Sequence, residues 1–458
     1  MTSQEVIKML QDSGLETKSK IIKDLIKDQE PIRNRTLRLY KQYNGNADIK
    51  NRLFDDPNKV NNRLNNDYAG DIIDGITGYM FGEEINYLLD KNKYKESDYV
   101  KITEAIKKFN LTNSIDDMDS STGELMSICG YAARLLYIDK NGQERIMNIK
   151  PWEVIFINDP TIDEVQYAMI YYNIDLIQNN RKVTRTKVEW YDKNDITYYI
   201  QNDSDNYVFD DSAPVNPQPH LFDYVPVIKF INNNAEMGDF EKVGENINAY
   251  DRLLSDIQNE VEEFRLAYLA FYGVEPTAEI IRAARQTGAF HFPEGTDGKF
   301  ITKPLDSATG FIENQKKTLN ENIYKFAKAV DMRDENFSGA AISGESRKWK
   351  LVQFENRAKS KERKFIKALR EQFKILATSF GKRELKFNYE DLTFQFTRNL
   401  PVDIDYQAGA TQKLKGNVSD KTRLSLLPFI SDPEQELKQM EEEAGEPINF
   451  NENNGDGN

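Results

Sequence analysis

The sequence predicts an α+β fold that is mainly helical. Three long segments in its second half have the apolar spacing of amphipathic helices. A separate stretch between residues 144 and 231 is rich in β-branched and aromatic residues and is broken by Asn/Asp turns, which is typical of strands. The chain has 458 residues, enough for several domains of about 100–200 residues each.

The first 235 residues predict an α+β region. Residues 1–40 have a helical pattern, and apolar side chains recur every three or four positions from 61 to 82, so a helix is expected over that whole range. The Asp-Lys-Asn-Gly sequence at 139–142 predicts a hairpin turn. Strand patterns follow at 145–149, 154–157, 167–172, 187–191, 197–200 and 227–231.

The second half predicts three long helices. The first, 239–271, repeats its apolar residues in steps of three and four, and its part from 239 to 265 holds eight acids and three bases. A turn-rich stretch leads to a second helix at 309–330. A third helix at 345–380 is basic, with eleven bases and four acids between 345 and 374. A strand at 388–396 and short helices at 419–427 and 433–443 complete the chain before a disordered tail.

Composition excludes several classes of protein. One cysteine and two histidines rule out a disulfide framework and a Cys/His zinc cluster, and they suit a reducing, intracellular setting. No apolar stretch approaches the ~18 residues of a membrane span, and no signal peptide is expected. The net charge of −14 argues against a tight nucleic-acid binder of the usual basic type.

No enzyme motif carries a complete mechanism. Residues 339–346 have the glycine spacing of a P-loop, but Glu345 stands where Lys is needed to neutralise phosphates. Residues 116–119 hold three aspartates without the rest of a calcium loop, so a solvated turn at a helix start is expected. His220 and His291 have no apparent catalytic partner, and Cys129 is expected to be a small buried hydrophobe. No catalytic residue, metal site or cofactor is therefore predicted.

The charge segregation of the long helices is the most unusual feature. For a monomer, the simplest interpretation of a charged helix face is that water solvates it. Long helices with one polar face also suit side-by-side packing around a ring, where a closed set of heterologous contacts is needed.

Segments spread over most of the chain resemble a known family, the portal (head–tail connector) proteins of tailed bacteriophages, of the type found in long-tailed phages of Gram-positive hosts. No single motif is decisive, and their order makes the resemblance specific. The segments are 61–64, 78–82, 130–132, 139–142, 151–156, 248–251, 254–256, 334–339, 398–401, 419–422 and 432–434.

The resemblance implies a portal fold with wing, stem, clip and crown regions. Mapped onto this sequence, the expected regions are the wing (1–235), stem helix 1 (239–271), the clip (272–308), stem helix 2 (309–331), the tunnel loop (332–344), the long wing helix (345–380), the crown (381–443) and a disordered tail (444–458).

The resemblance and the charge pattern together give candidate site residues. The tunnel loop is expected to project towards DNA without gripping it, because it carries no Lys or Arg. Its residues are Asn336, Phe337, Ser338, Gly339, Ala340, Ala341, Ile342 and Ser343. Channel-lining candidates on the first stem helix are Glu245, Asp256, Glu260 and Glu263. Subunit-interface candidates on the basic helix, which could alternatively face DNA near the crown, are Arg347, Lys348, Arg357 and Lys361.

The function implied is a non-catalytic ring at one capsid vertex, a passive conduit for double-stranded DNA. The expected partners are eleven further copies of the chain, DNA without sequence specificity, the terminase packaging motor, a head-completion adaptor, and the major capsid and scaffolding proteins, with no membrane. The expected location is the virion, and the host cytoplasm during assembly. Two alternatives stay open: another ring-forming virion or tail-assembly protein without a DNA channel, and a nucleic-acid enzyme with an unrecognised carboxylate metal site.

Overall fold

The computed structural model of the protein describes most of the chain. The described residues are 3–11, 15–56, 59–159, 161, 164–178, 181–264, 268–272, 277, 279, 282, 297–301, 309–331, 344–399, 409, 411–427, 430 and 433–445.

Helices and antiparallel strands both occur, which confirms the α+β prediction. The helices in chain order are α1 (Ser3–Gln11), α2 (Leu15–Tyr43), α3 (Tyr68–Phe81), α4 (Glu96–Thr112), α5 (Ile115–Cys129), α6 (Gly244–Phe264), α7 (Thr309–Ala327), α8 (Gly344–Lys382), α9 (Asp420–Leu424) and α10 (Pro433–Gly445). The strands are β1 (Asn86–Leu89), β2 (Tyr131–Ile138), β3 (Glu144–Ile149), β4 (Val154–Asp159), β5 (Glu164–Gln178), β6 (Arg181–Tyr191), β7 (Asp195–Gln201), β8 (Tyr207–Phe209), β9 (Gln218–Pro219), β10 (Val227–Ile231), β11 (Tyr268–Tyr272), β12 (Asp297–Ile301) and β13 (Leu392–Gln395).

The largest sheet is antiparallel and is covered on one face by the first two helices. Its strand order is β4-β5-β6-β7-β8, and β9 pairs with β7. Apolar side chains of α1 and α2, such as Val6 and Ile22, pack against Met169 and Trp190 of this sheet. Alternating apolar residues along each strand place one face against those helices, which is why the strand patterns were readable from the sequence.

A three-stranded sheet of order β10-β2-β3 connects this region to the rest of the chain. The turn predicted at 139–142 joins β2 to β3, and Ile138 pairs with Glu144 across it. Gly142 has a φ of 71°, a left-handed value that glycine adopts without steric cost. The hairpin prediction is confirmed.

Helix α8 lies at the centre of the largest hydrophobic core. Its side chains Phe365, Leu369 and Phe373 are fully buried and belong to a cluster with residues of α3, α4, α5, β2, β10 and β13. A second cluster places Ile247 of α6 beside Ile323 of α7, so the two predicted stem helices pack against each other. These helices are amphipathic because the core contacts only one side of each.

The helix predicted over 61–82 is shorter than expected, because it begins at Tyr68. Asp67 caps it by accepting a hydrogen bond from the backbone N–H of Gly70 at 3.0 Å. Residues 61–66 lie outside the helix instead, and side chains of α6 accept the backbone N–H groups of three of them.

The helix predicted over 239–271 is also shorter, because α6 ends at Phe264 and Tyr268–Tyr272 forms β11. Strand β11 pairs with β12, Phe271 opposite Gly298. The steps of three and four continue through Tyr268 and Phe271, but aromatic residues also favour strands, and the pairing with β12 decides the outcome. The assignment of clip and stem boundaries here stays a prediction.

Residues 399–458 form a compact unit separate from residues 1–398. Its short helix α9 begins after Ser419, whose hydroxyl accepts the backbone N–H of Thr422 at 3.3 Å, and α10 begins at Pro433. Both predicted helix starts are therefore confirmed. The crown assignment for 381–443 stays a prediction.

Candidate channel surface

Helix α6 carries one exposed polar stripe. Glu245, Asp256 and Glu260 are all exposed, and at about 100° per residue they share one side of the helix. Three of the four channel-lining candidates therefore belong to a single surface. Arg252 is exposed on the same stripe, a base among the acids that the charge count alone had not singled out. The side chain of Glu263 lies outside the described part of the chain.

The side of α6 next to this stripe holds a buried polar ladder. Asp251, Ser255 and Asn259 follow one another at four-residue steps, and all three are buried. They accept the backbone N–H groups of an extended arm, residues 61–66. Asp251 Oδ1 accepts from Asn66 (2.8 Å), Ser255 Oγ from Leu64 (3.0 Å) and Asn259 Oδ1 from Asn62 (2.7 Å).

The ladder forms because two different repeats have nearly the same length. Four residues of an α-helix rise about 6 Å, and two residues of an extended chain span about 6.6 Å. Every second amide of the arm therefore meets every fourth side chain of α6, over three successive contacts. The helix face acts towards the arm as a neighbouring strand would, and this is why the arm is extended rather than helical.

Each member of the ladder makes further hydrogen bonds. The Ser255 hydroxyl donates to the carbonyl of Asp251 at 2.6 Å, and Asp251 Oδ1 also accepts from Asn66 Nδ2 at 2.8 Å. Burial raises the pKa of the Asp251 carboxyl, and its bonds to Asn66 oppose that rise. This side of α6 is thus occupied by the arm, and the acidic stripe lies beside it.

Arg52 links the beginning of the arm to the acidic stripe through an ion pair and a hydrogen bond. Its Nη1 lies 2.7 Å from Asp256 Oδ1, and its Nη2 donates to the carbonyl of Asn62 at 2.9 Å. Asn61 completes the turn, since Arg52 Nε donates to its Oδ1 at 3.1 Å. One of the channel-lining candidates, Asp256, therefore already has a basic partner within the chain.

A buried ionic cluster anchors the chain just before α6. Asp239 is buried, and its carboxylate contacts Arg357 Nη2 at 2.6 Å, Asn232 Nδ2 at 2.7 Å and Lys361 Nζ. Lys361 also donates to the hydroxyl of Ser127. Burial acts to raise the pKa of Asp239, but the two cations outweigh it and hold that pKa well below its usual range. Burial lowers the pKa of Lys361 to about 8.

Arg357 and Lys361 had been assigned to a subunit interface, and their ion pairs lie within the chain instead. The Lys361 side chain is only 2% exposed, so it has no surface to offer a neighbouring subunit. Arg357 donates to the carbonyls of Ala327 and Asp239 as well. Both side chains therefore join α8 to the segments that flank the stem helices, and for Lys361 the interface assignment is wrong.

Two close contacts between backbone segments hold the residues before α6 in place. Gly130 has a φ of 89°, and a Cβ built on it would lie 1.9 Å from the carbonyl oxygen of Glu236. A Cβ on Gly238 would lie 2.2 Å from the carbonyl oxygen of Ile128. Arg35 Nη2 donates to the carbonyl of Glu236 at 3.0 Å across the same crossing. Only glycine allows the segment before α6 to cross the α5–β2 corner this closely.

The remaining candidates lie outside the described residues. The tunnel-loop residues 336–343 are among them, and so is His291. Arg347 and Lys348 belong to α8, but their side chains are outside the described part. Their proposed roles stay predictions.

Cys129, His220 and Asp119 are all buried. Burial raises the pKa of the Cys129 thiol to about 12, so the prediction of an inert buried cysteine is confirmed. His220 is buried, with Nε2 3.0 Å from the carbonyl oxygen of Asp192, and burial lowers its pKa. Asp116 lies in the first turn of α5, which confirms the expected helix start, but Asp119 is buried and pairs with Arg134 at 2.9 Å, so it is not part of a solvated turn.

The described residues contain no cluster of three or more His, Cys, Asp or Glu side chains suited to a metal ion. Among the same residues, no helix combines the length and hydropathy needed to cross a lipid bilayer.

Comparisons with known proteins show the family of the chain. A family model described as "Phage portal protein, SPP1 Gp6-like" matches residues 22–449, which run from α2 to beyond α10. The chain is 26% identical to the portal protein of Bacillus phage SPP1 over 414 residues, covering 85% of this chain and 78% of that protein. It is 22% identical to the portal protein of Clostridium phage phiCD119 over 414 residues, covering 86% and 88%. The chain therefore belongs to the SPP1 Gp6-like family of phage portal proteins.

Proposed function

We propose that twelve copies of this chain form a ring at one capsid vertex and that the acidic stripe of α6 lines the passage for double-stranded DNA. Portal proteins are virion components of the capsid vertex. The observation that supports the lining is the stripe itself: Glu245, Asp256 and Glu260 are exposed on one side of α6, and the ladder holds the neighbouring side against the arm.

An acidic lining suits DNA that has to keep moving. Each phosphate neutralised by a fixed base releases counterions and strengthens binding, so a continuous basic lining would retain the duplex. Acids repel the phosphates and keep the duplex near the axis, within a screening length of about 10 Å at 0.1 M salt. Arg252 on the same stripe offers a transient contact without forming a basic track.

The other regions take their proposed roles from the family. Residues 1–235 form the wing, 272–308 the clip, 309–331 the second stem helix, 332–344 the tunnel loop, 345–380 the long wing helix and 381–443 the crown. The specific partners proposed are the terminase motor, a head-completion adaptor, and the major capsid and scaffolding proteins. The ring is not an enzyme in this proposal, and a separate ATPase drives packaging. Assembly takes place in the host cytoplasm.

The test combines imaging with a charge reversal. Purified protein should give rings with a central hole by negative-stain microscopy. The variant Glu245→Lys with Glu260→Lys should still give rings, but they should retain duplex DNA several-fold more strongly at 0.1 M salt, and DNA packaging into capsids should fall.

The matched control reverses two exposed acids of α4, Asp98→Lys with Glu104→Lys, and it should leave both DNA retention and packaging unchanged. Rings whose DNA retention and packaging do not respond to the α6 change would rule out this lining. Rings without a central hole would favour a tail-assembly role instead.

A further inference from the structure

Helix α8 carries an exposed basic stripe, which we define as Asn356, Lys359, Arg363, Lys367 and Arg370. All five are exposed, and their steps of three and four residues keep them on one side of the helix over about 21 Å. The buried Phe365, Leu369 and Phe373 lie on the other side, in the core. The stripe therefore faces away from this core.

The two arginines of the stripe have no ion-pair partner in the described part of the chain, unlike several neighbouring bases. Lys359 lies 3.6 Å from Glu355, and Lys374 lies 3.5 Å from Glu164. In a chain of net charge −14, two unpaired guanidinium groups on one helix face mark a surface available to an anionic partner.

An acidic groove of about 680 Å³ lies elsewhere on the same chain, beside α3. The charged residues of its described lining are Asp67, Asp71 and Asp74, and none of the described lining residues is Lys or Arg. Gly78 continues the exposed side of α3, with open space where a Cβ would be, so long side chains can approach the helix backbone. Tyrosine and apolar side chains form its walls, namely Tyr68, Tyr250, Val330 and Phe354.

One acid of this groove, Asp74, is hydrogen-bonded to a neutral group. Asp74 accepts a hydrogen bond from the Tyr43 hydroxyl at 2.9 Å, a neutral donor. Burial raises the pKa of nearby Glu124, and the charge of Asp74 raises it further. A cation arriving from outside would relieve this repulsion.

The groove and the stripe lie on different sides of α8. Phe354, which lines the groove, precedes Arg363 by nine residues, so it lies about 180° around the helix from the centre of the stripe. A ring built from heterologous contacts needs two different, complementary surfaces on each subunit, facing opposite ways. The two surfaces meet this condition in shape and in charge.

We infer that the basic stripe of one copy contacts the acidic groove of the next copy in the ring. This inference rests on the proposed ring. Copies of net charge −14 repel one another at a distance, so a contact between them needs local pairs of opposite charge to set its position. A second copy carries a matching acidic groove for every basic stripe, and this favours it over DNA as the partner.

The test is a charge swap between the two surfaces. Arg363→Glu with Arg370→Glu should raise the protein concentration needed for half-maximal ring formation at least about tenfold, by analytical ultracentrifugation at 0.15 M salt. Asp74→Arg with Gly78→Arg should do the same, and it leaves the hydrogen bond of Asp71 to Tyr324 in place. The four changes together should restore ring formation.

The control variant Lys107→Glu with Lys108→Glu makes the same charge change on exposed residues of α4 and should assemble normally. Circular dichroism confirms folding of each variant. Unchanged assembly of the Arg363/Arg370 variant would overturn the inference, and so would failure of the fourfold variant to recover.

A binding measurement tests the alternative that the stripe contacts DNA. The binding of a 30-base-pair duplex to wild type and variants is measured by fluorescence anisotropy. If the Arg363/Arg370 variant loses duplex binding while its rings form normally, the stripe contacts DNA and the inference is wrong. If the wild-type chain never forms rings, the proposed function fails. If wild-type rings form and the variants assemble as well as the wild type, only this pairing of surfaces is contradicted.

Discussion

Asp239 illustrates how one buried acid can organise distant parts of the chain. Its partner Lys361 lies 122 residues later, and Ser127 belongs to a third segment. The sequence shows Lys361 only as one of eleven bases in a helix, and this pattern predicts a subunit-interface role for it. No local pattern reveals such a pairing, because burial of a cation depends on which acid the fold brings to it.

We expect Asp239→Asn to lower the free energy of unfolding by about 3–5 kcal/mol, because Lys361 and Arg357 would stay buried without an anion. Lys361→Met should cost less, since Arg357 still pairs with Asp239. Urea unfolding followed by circular dichroism measures both. The control Lys359→Met, on an exposed residue of the same helix, should stay within about 0.5 kcal/mol. A larger loss for Lys361→Met than for Asp239→Asn would contradict this account.

The low pKa of Asp239 predicts that the stability of the protein depends on pH. The pKa of Asp239 is well below its usual value in the native state, so the unfolded chain binds the extra proton as the pH falls. The stabilisation is complete above the unfolded pKa of about 4 and is lost progressively below it. The stability difference between wild type and Asp239→Asn should therefore shrink between pH 7 and pH 3. A difference that stays constant over that range would show that the carboxylate is not ionically paired.

At the scale of elements, the sequence predicted the long strands of the largest sheet and the long helices of the second half, but it missed α4, β1, β8 and β9 and misplaced two helix boundaries. Strand patterns were readable because one face of each sheet is buried. The extended arm before α3 was taken for helix because Leu64 precedes Tyr68 by four residues. Its true conformation depends on acceptors of α6 that lie nearly 200 residues away. The end of α6 was likewise misplaced because the strand pairing of β11 is non-local.

The ladder makes a prediction about local stability. Ser255→Ala removes the acceptor of the Leu64 amide, so that amide and its neighbours in the arm should exchange hydrogen at least about tenfold faster. Global stability should fall by about 1–3 kcal/mol, the usual cost of an unsatisfied buried group. Hydrogen exchange with mass spectrometry reports both. Arg252→Ala, on the exposed side of α6, is the control, and equal exchange in the two variants would show that the ladder does not hold the arm.

The tunnel-loop assignment predicts a separation of assembly from packaging. Deleting residues 336–343 should leave rings intact by negative stain, because no base there can form an intersubunit ion pair. DNA packaging should fall, because the deletion removes the segment proposed to approach the duplex. Replacing the same eight residues with a Gly/Ser segment of equal length separates the effect of length from that of side chains. Normal packaging by the deletion variant would remove the assignment.

At the scale of the whole molecule, the resemblance of scattered segments was enough to identify the family from sequence. Which surfaces face inward, outward or towards another copy could not be read in the same way. The basic helix divides its charges between a buried cluster at Lys361 and an exposed stripe at Arg363, only two residues later. A helix turns about 200° over two residues, so composition alone cannot separate the two roles.

Net charge leads to a last prediction about assembly. Subunits of charge −14 repel one another over tens of ångströms at low salt, whereas about 0.1 M salt screens charges more than about 10 Å apart. Ring formation should therefore rise between 0.01 and about 0.15 M NaCl. Above about 1 M, screening reaches the short-range pairs between stripe and groove, so ring formation should fall again. Sedimentation velocity over a salt series measures this optimum.

The Arg363→Glu, Arg370→Glu variant lacks those pairs, so added salt can only reduce its repulsion, and its ring fraction should rise with salt throughout. A wild-type ring fraction that rises steadily to 1 M would mean that apolar contacts rather than charge pairs hold the ring.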